Sequence, residues 1–212
     1  MTPEGKTRTL AGRANGYRDD SAVEALFRYP HDVSVAPDGS CYVADTGNDR
    51  IRRIAPDGTV TTVARSIYDY GDGRGTDAYF RRPTALDVDA EGICYVADTG
   101  NNTIRIIDPN GTVTTLAGAL PGGDANGVGR DVGLRWPTIA VGPDGTIWIA
   151  DHGNGAIRRL GPNRESRSVY RFSGRTWPVS VAWHGNGTLV VSGIALYDLR
   201  RPEAWLLMVK AR

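Results

Sequence analysis

Short apolar runs separated by polar turn residues make up almost the whole chain. One stretch shows the pattern in full. Asp32-Val-Ser-Val-Ala36 is followed by a Pro37-Asp-Gly39 turn, Cys41-Tyr-Val-Ala44 by Asp45-Thr-Gly-Asn48, Arg50-Ile-Arg-Arg-Ile54 by Pro56-Asp-Gly58, and Thr59-Val-Thr-Thr-Val63 closes the unit. The runs are rich in β-branched and aromatic residues, and Pro, Gly, Asp or Asn bound them. This predicts an antiparallel meander of four strands. The unit then repeats. Gly39-Ser-Cys-Tyr-Val-Ala-Asp-Thr-Gly-Asn48 returns at Gly92 and, as Gly-Thr-Ile-Trp-Ile-Ala-Asp-His-Gly-Asn, at Gly145, a step of 53 residues each time. A period near fifty built from strands predicts a β-propeller, in which each repeat is one four-stranded blade.

Blades are expected near residues 30–64, 83–117, 137–173 and 178–210, and four steps of 53 account for all 212 residues, so a single domain, 1–212, is predicted. The ends support this count. Thr7-Arg-Thr-Leu-Ala-Gly12 matches the end of a fourth strand, Thr114-Thr-Leu-Ala-Gly118, yet it opens the chain, while the last repeat stops one strand short. The expectation is a four-bladed ring in which residues 7–12 complete the last blade and remove the exposed sheet edges; such a closed ring would be monomeric. The last repeat is degenerate, with Gly193 where Asp45, Asp98 and Asp151 stand. The alternative is therefore a partial or open arc of a larger propeller.

The segment Pro30 to Ile54 resembles the NHL repeat: Pro, an apolar strand, Asp-Gly, Tyr-Val-Ala-Asp, then Asn-x-x-Ile. Residues 83–107 and 137–160 resemble it as well, in the manner of the long-repeat bacterial-type members with Thr-Leu-Ala-Gly between blades. The resemblance implies a β-propeller, commonly of six blades, used as a platform for protein, RNA or other ligands. It also makes an NHL-like lyase or lactonase-type enzyme the second alternative, since some NHL-like propellers are lyases that hold zinc through several His residues.

Charge and candidate chemistry narrow these options. The 25 Lys and Arg against 24 Asp and Glu argue against a dedicated polyanion binder. Arg supplies nearly all of the positive charge, and its planar fork suits recognition. No basic stretch followed by an apolar one opens the sequence, and no apolar run reaches the ~20 residues of a membrane span, so a cytoplasmic protein with no membrane partner is expected. Cys41 and Cys94 occupy one slot of consecutive repeats where Ile147 and Leu189 stand later, which predicts two buried thiols and no disulfide.

Asp45, Asp98 and Asp151, with Asn48, Asn101 and Asn154, recur in every clear repeat. A turn is needed in each blade whereas a catalytic site is needed once, so these are predicted to be structural, the carboxylates accepting backbone N–H groups. The three histidines, His31, His152 and His184, fall on both faces and do not supply a three-ligand zinc site. Asp69-Tyr-Gly-Asp-Gly-Arg-Gly-Thr-Asp77 lacks the P-loop Lys and the EF-hand spacing. The chain is therefore expected to be non-catalytic and to need no cofactor or metal.

Recognition is expected where each repeat enters its first strand. Tyr29, Arg82, Trp136 and Trp177 each precede a Pro, and Arg28, Arg81 and Arg135 precede three of them. Together with His31 they form the predicted binding set, held extended by the following Pro and ringing a central channel. A protein or peptide partner is the first expectation. Single-stranded RNA is the alternative, opposed by the near balance of loop-face charge, ten Arg against eight Asp and Glu.

Overall fold

The computed structural model describes residues 5–65, 71–184, 187–198 and 201–210. Four antiparallel sheets follow one another along the chain as predicted. Blade 1 contains Pro30–Val35, Cys41–Asp45, Arg50–Ile54 and Thr59–Arg65; blade 2 contains Pro83–Val88, Cys94–Asp98, Thr103–Ile107 and Thr112–Ala117. Blade 3 contains Pro137–Val141, Ile147–Asp151, Ala156–Leu160 and Glu165–Arg171. Blade 4 has three strands, Thr176–His184, Thr188–Asp198 and Arg201–Lys210. The architecture is an all-β, four-blade propeller arrangement.

Period-2 alternation explains how the blades stack. Ala44 and Ile51 lie opposite one another in blade 1 and point towards blade 2, where they pack with Leu86, Cys94 and Val96. Ala97 and Ile104 repeat this between blades 2 and 3, against Ile139, Ile147 and Ile149; Ala150 and Ile157 repeat it between blades 3 and 4, against Val181, Leu189 and Val191. The connecting loops add two buried apolar side chains to each of the first two layers, Ala78 with Phe80 and Val132 with Leu134; Phe80 and Leu134 are both 0% exposed. Both thiols are unpaired as expected, but only Cys94 is buried; Cys41 is half-buried, because it lies on the side of blade 1 away from blade 2.

Two features differ from expectation. First, each of blades 1 to 3 carries an additional two-residue outer strand from the preceding loop: Asp20–Ser21, Gly73–Arg74 and Gly127–Val128. Their shortness leaves no run for a sequence pattern to register. Second, residues 7–12 do not complete blade 4. Among the described residues, Arg201–Lys210 pairs only with Thr188–Asp198. The opening segment instead lies against blade 1, where Gly12 N–H donates to Ala22 O at 2.9 Å and Ala11 packs beside Phe27. This is the local geometry of an inter-blade loop, shared with Gly118 N–H and Gly129 O at 3.0 Å. Local loop contacts hold the segment, and the arc stays open between blades 4 and 1.

Candidate functional site

The repeated Asp anchors the loop face of every complete blade. Asp45 Oδ1 accepts the backbone N–H of Arg28 at 2.7 Å; Asp98 accepts that of Arg81 at 2.7 Å and Asp151 that of Arg135 at 2.8 Å. The second oxygen accepts from Asn48, Asn101 or Asn154, each at 2.8 Å. It also accepts from an arginine seven residues on, Arg52, Arg105 or Arg158, each fully buried. The carboxylates do accept backbone N–H groups, but from the loop that enters the blade and not from their own turn. Their Arg partners sit in Ile-Arg-Arg-Ile type runs, where alternation alone gives no reason to expect a buried charge.

Burial pushes the Asp98 carboxyl up to about 6, against the lowering effect of hydrogen bonds from Arg81, Asn101 and Arg105. Asp151 is raised for the same reason. The buried arginines reach further, to loop acids: Arg52 to Asp19 at 2.6 Å, Arg105 to Asp72 at 3.0 Å and Arg158 to Asp124 at 2.6 Å. Burial raises Asp72 but is outweighed by hydrogen bonding from Thr115 and the charges of Arg105 and Arg130, so its carboxyl lies below the ordinary value. Asp72 thus shapes its loop; Asp69 lies outside the described residues.

The residues held by these anchors form the loop face. The predicted extended conformation before each Pro does not occur at three of the four positions. Tyr29, Arg82 and Trp136 are left-handed, with φ of 46°, 48° and 52°. The Pro ring disfavours the right-handed region; at two of the three a hydrogen bond to the previous blade accompanies the left-handed backbone, Arg82 N–H donating to Asp49 at 2.6 Å and Trp136 N–H to Asn102 at 3.0 Å. The position equivalent to Asp49 and Asn102 in blade 3 is Gly155, which has no side-chain acceptor. Trp177 is accordingly an ordinary strand residue, half-buried at the start of blade 4.

The structure brings part of the predicted set together. Arg82 and Trp136 line a cleft of about 280 Å³ with Thr84, Thr99, Gly100 and His152. The Trp136 and His152 ring centroids are 6.1 Å apart. His152 Nδ1 lies 2.8 Å from the Pro178 carbonyl, an acceptor, so Nδ1 carries the proton and Nε2 of the neutral ring is an acceptor. His152 was not in the predicted set; it stands where earlier blades have Thr46 and Thr99, which bridge to Pro83 O and Pro137 O. Tyr29, Arg28 and His31 lie exposed on blade 1, apart from this cleft. The stems of Arg28, Arg81 and Arg135 run over Gly47, Gly100 and Gly153; a methyl on Gly100 would stand 2.6 Å from Arg81 O.

Charge on this face is only partly paired: Asp49, Asp77 and Asp131 form no ion pair among the described residues. Asp19, Asp20, Glu24, Asp72 and Asp124 are all tied to arginines. Arg28, Arg81, Arg82 and Arg135 form no ion pair among the described residues. A larger groove, about 620 Å³, opens on the opposite face between the turns of blades 1 and 2. Its two arginines are engaged internally, Arg53 on Asp38 and Arg74 on Asn110 O, while the Glu91 carboxylate on its rim forms no ion pair among the described residues. Among the described residues no three His, Cys, Asp or Glu side chains group as a metal site, and no helix is long and apolar enough to cross a membrane.

Residues 27–54 match the NHL repeat model. The chain is similar to teneurin-3 of Danio rerio, with 31% identity over 165 residues, covering 66% of this chain and 6% of that protein. It is also similar to NHL repeat-containing protein 2 of Bos taurus, with 29% identity over 188 residues, covering 79% of this chain and 26% of that protein. Among solved structures a streptogramin B lyase superposes with a TM-score of 0.59 at 16% identity, over 85% of this chain and 55% of that one. This chain thus spans a small part of the length of these relatives and about half of that propeller. With the repeated Tyr-Val-Ala-Asp blades, these matches identify the chain as a member of the NHL-repeat family of β-propellers.

Proposed function

We propose that this chain is a non-catalytic recognition scaffold whose loop face binds an acidic segment of a partner protein. One observation carries the reading: Tyr29, Arg82 and Trp136 are bulky, exposed and left-handed at equivalent places in three blades. Tyr29 is 68% exposed and Trp136 55%. A left-handed bulky residue costs roughly 1–2 kcal/mol, which Gly would avoid. Exposed side chains return little packing energy for that cost, and strain of this kind concentrates at ligand sites. Trp, Tyr and Arg are also the residues most often found at binding hot spots, and the unpaired arginines give the face a cationic character.

Single-stranded RNA is the second reading, favoured by the same arginines beside exposed aromatic faces on which bases stack. Both are tested by fluorescence anisotropy with an acidic, aromatic-containing probe peptide and with an oligouridylate, comparing the native chain with Arg82→Ala and Trp136→Ala. Under the protein-binding reading the peptide binds and each substitution weakens it at least thirty-fold, the hot-spot range of 2 kcal/mol or more. Selective binding of the oligouridylate, with steep loss as salt rises, transfers the assignment to RNA. Equal affinity of the native and substituted chains for every probe refutes the site.

A further inference from the structure

We propose that the cleft beside Trp136 seats one carboxylate group of the bound segment, and that His152 Nε2 takes up a proton as the carboxylate enters. This seat belongs to the protein-binding reading above and names the group that its cleft holds. The repeat changes residue at one point. Thr46 and Thr99 each give a hydroxyl proton to the carbonyl of the Pro that opens the next blade, Pro83 or Pro137. His152 serves the equivalent carbonyl, Pro178 O, through Nδ1 at 2.8 Å. A threonine has then spent its only donor, whereas an imidazole keeps a second nitrogen. Nε2 has no hydrogen-bond partner among the described residues and stays open to solvent, on a half-buried ring that lines the cleft.

The donors around the cleft decide what it takes. Thr99 donates to Pro137 O and Thr84 bonds to Thr99, so neither hydroxyl keeps a proton for a ligand. Two groups remain beside the Trp136 ring: the Arg82 guanidinium and His152 Nε2. A neutral imidazole offers Nε2 only as an acceptor, which an anion does not use. Protonated, the ring donates from both nitrogens, and a nearby anion favours that charged form. The other charges that meet the ring are engaged or distant. Asp151, its chain neighbour, is taken up by Arg158, Asn154 and Arg135 N–H, and the Arg135 stem runs over Gly153. The strands packed on the ring, Pro137–Val141 and Thr176–His184, bring no ionisable side chain except His184, at the far end of the second. Arg82 is thus the cation across the cleft, and the occupant sets the remaining charge.

Size and donor number select a carboxylate. A planar Arg fork and one imidazolium N–H match two oxygens, whereas a phosphate group has three to satisfy. The cleft, about 280 Å³, lies just below the roughly 300–1,000 Å³ of small-molecule pockets, and suits a single side chain of a longer ligand.

Fluorescence anisotropy of the acidic, aromatic-containing probe peptide between pH 5.5 and 8.0 tests the proposal, because the peptide's own carboxylates stay ionised over that range. Affinity for the native chain is expected to rise at least about fivefold as pH falls, and by no more than about tenfold per pH unit, the limit for one linked proton. His152→Thr restores the residue that blades 1 and 2 use for the same hydrogen bond, so native circular dichroism and a flat, weaker profile are expected. A pH dependence that persists in this variant belongs to another group, such as Asp98 or His31, and overturns the proposal. Nitrogen-15 NMR of the histidine-labelled native chain reads the ring directly. The free chain is expected to show the Nδ1–H tautomer at pH 8, and saturation with peptide at pH 6.5 to protonate Nε2; a ring that stays neutral in the complex refutes the proton uptake. Equal peptide affinity at every pH removes the proton-linked seat and leaves the protein-binding reading standing, while a peptide that binds at no pH removes both. Replacing the peptide's carboxylates by amides should abolish the rise in affinity, and tighter binding of a phosphoserine peptide would overturn the choice of carboxylate.

Discussion

Removing Arg105 tests whether the buried Asp–Arg pair holds the loop face in place. Arg105 is fully buried, 3.2 Å from Asp98, and also donates to Tyr79 O at 2.8 Å, Gly71 O at 2.7 Å and Asp72 at 3.0 Å. Arg105→Met leaves the buried Asp98 carboxylate without its cation, though still bonded to Arg81 N–H and Asn101, and takes one donor from each of two loop carbonyls. Breaking a buried pair from one side costs about 3–5 kcal/mol, because the remaining charge is uncompensated. Asp98→Asn places an amide N–H₂ where the second carboxylate oxygen faced the donors of Asn101 and Arg105, and a loss of about the same size is expected. The double variant has no unpaired charge. Its loss should fall short of the sum of the single losses by at least about 2 kcal/mol, within the coupling seen for groups in contact. Urea unfolding gives the four stabilities, and hydrogen exchange of residues 71–79 reports release of the loop. Additive losses, or a loop that stays protected in Arg105→Met, would refute the role assigned to the pair.

Three further outcomes follow from the same geometry. Trp136→Gly should relieve the left-handed backbone and raise or preserve the melting temperature while abolishing probe binding; a loss of about 1 kcal/mol or more would show that Trp136 serves packing. Gly100→Ala should lower stability by about 1–3 kcal/mol and weaken binding together, since the new methyl meets the Arg81 carbonyl at 2.6 Å and must displace the loop that carries Arg82. The raised carboxyl of Asp98, at about 6, gives a pH dependence of defined sign. Between its folded value and the ordinary carboxylate value near 4 the native state holds the extra proton, so this group's contribution to stability grows as pH falls through 6 and shrinks as pH rises. Asp98→Asn should flatten that part of the stability profile; an unchanged slope between pH 4 and 6 would contradict the shift.

The blades were legible because their signals are local. Alternation, Pro-Asp-Gly turns and the 53-residue step each act within a few residues and agree with one another, and the strands Arg50–Ile54 and Thr103–Ile107 fall where the pattern puts them. Closure is a different kind of problem. Whether residues 7–12 pair with residues 201–210 depends on the angle accumulated over three blade contacts, and no single run of sequence encodes that angle. Residues 7–12 carry the sequence of a strand end but form no strand, and they do not pair with blade 4, so a likeness of sequence at two places did not become a pairing.

The site divides along the same line. Asp45, Asp98 and Asp151 were readable as structural because they recur, but their partners were not, since nothing in Ile-Arg-Arg-Ile distinguishes the buried Arg52 from the half-exposed Arg53. A tally of loop residues has the same blind spot: Asp19, Asp72 and Asp124 are engaged by Arg52, Arg105 and Arg158, which lie in strands. Each of these arginines also pairs with the repeated aspartate of its blade, so one cation is shared between two carboxylates and the pairing adds no net positive charge to the loop face. Its role is positional: it ties the strand to the entering loop through that loop's acid and backbone carbonyls, and that loop in turn carries Arg28, Arg81 or Arg135 to the face.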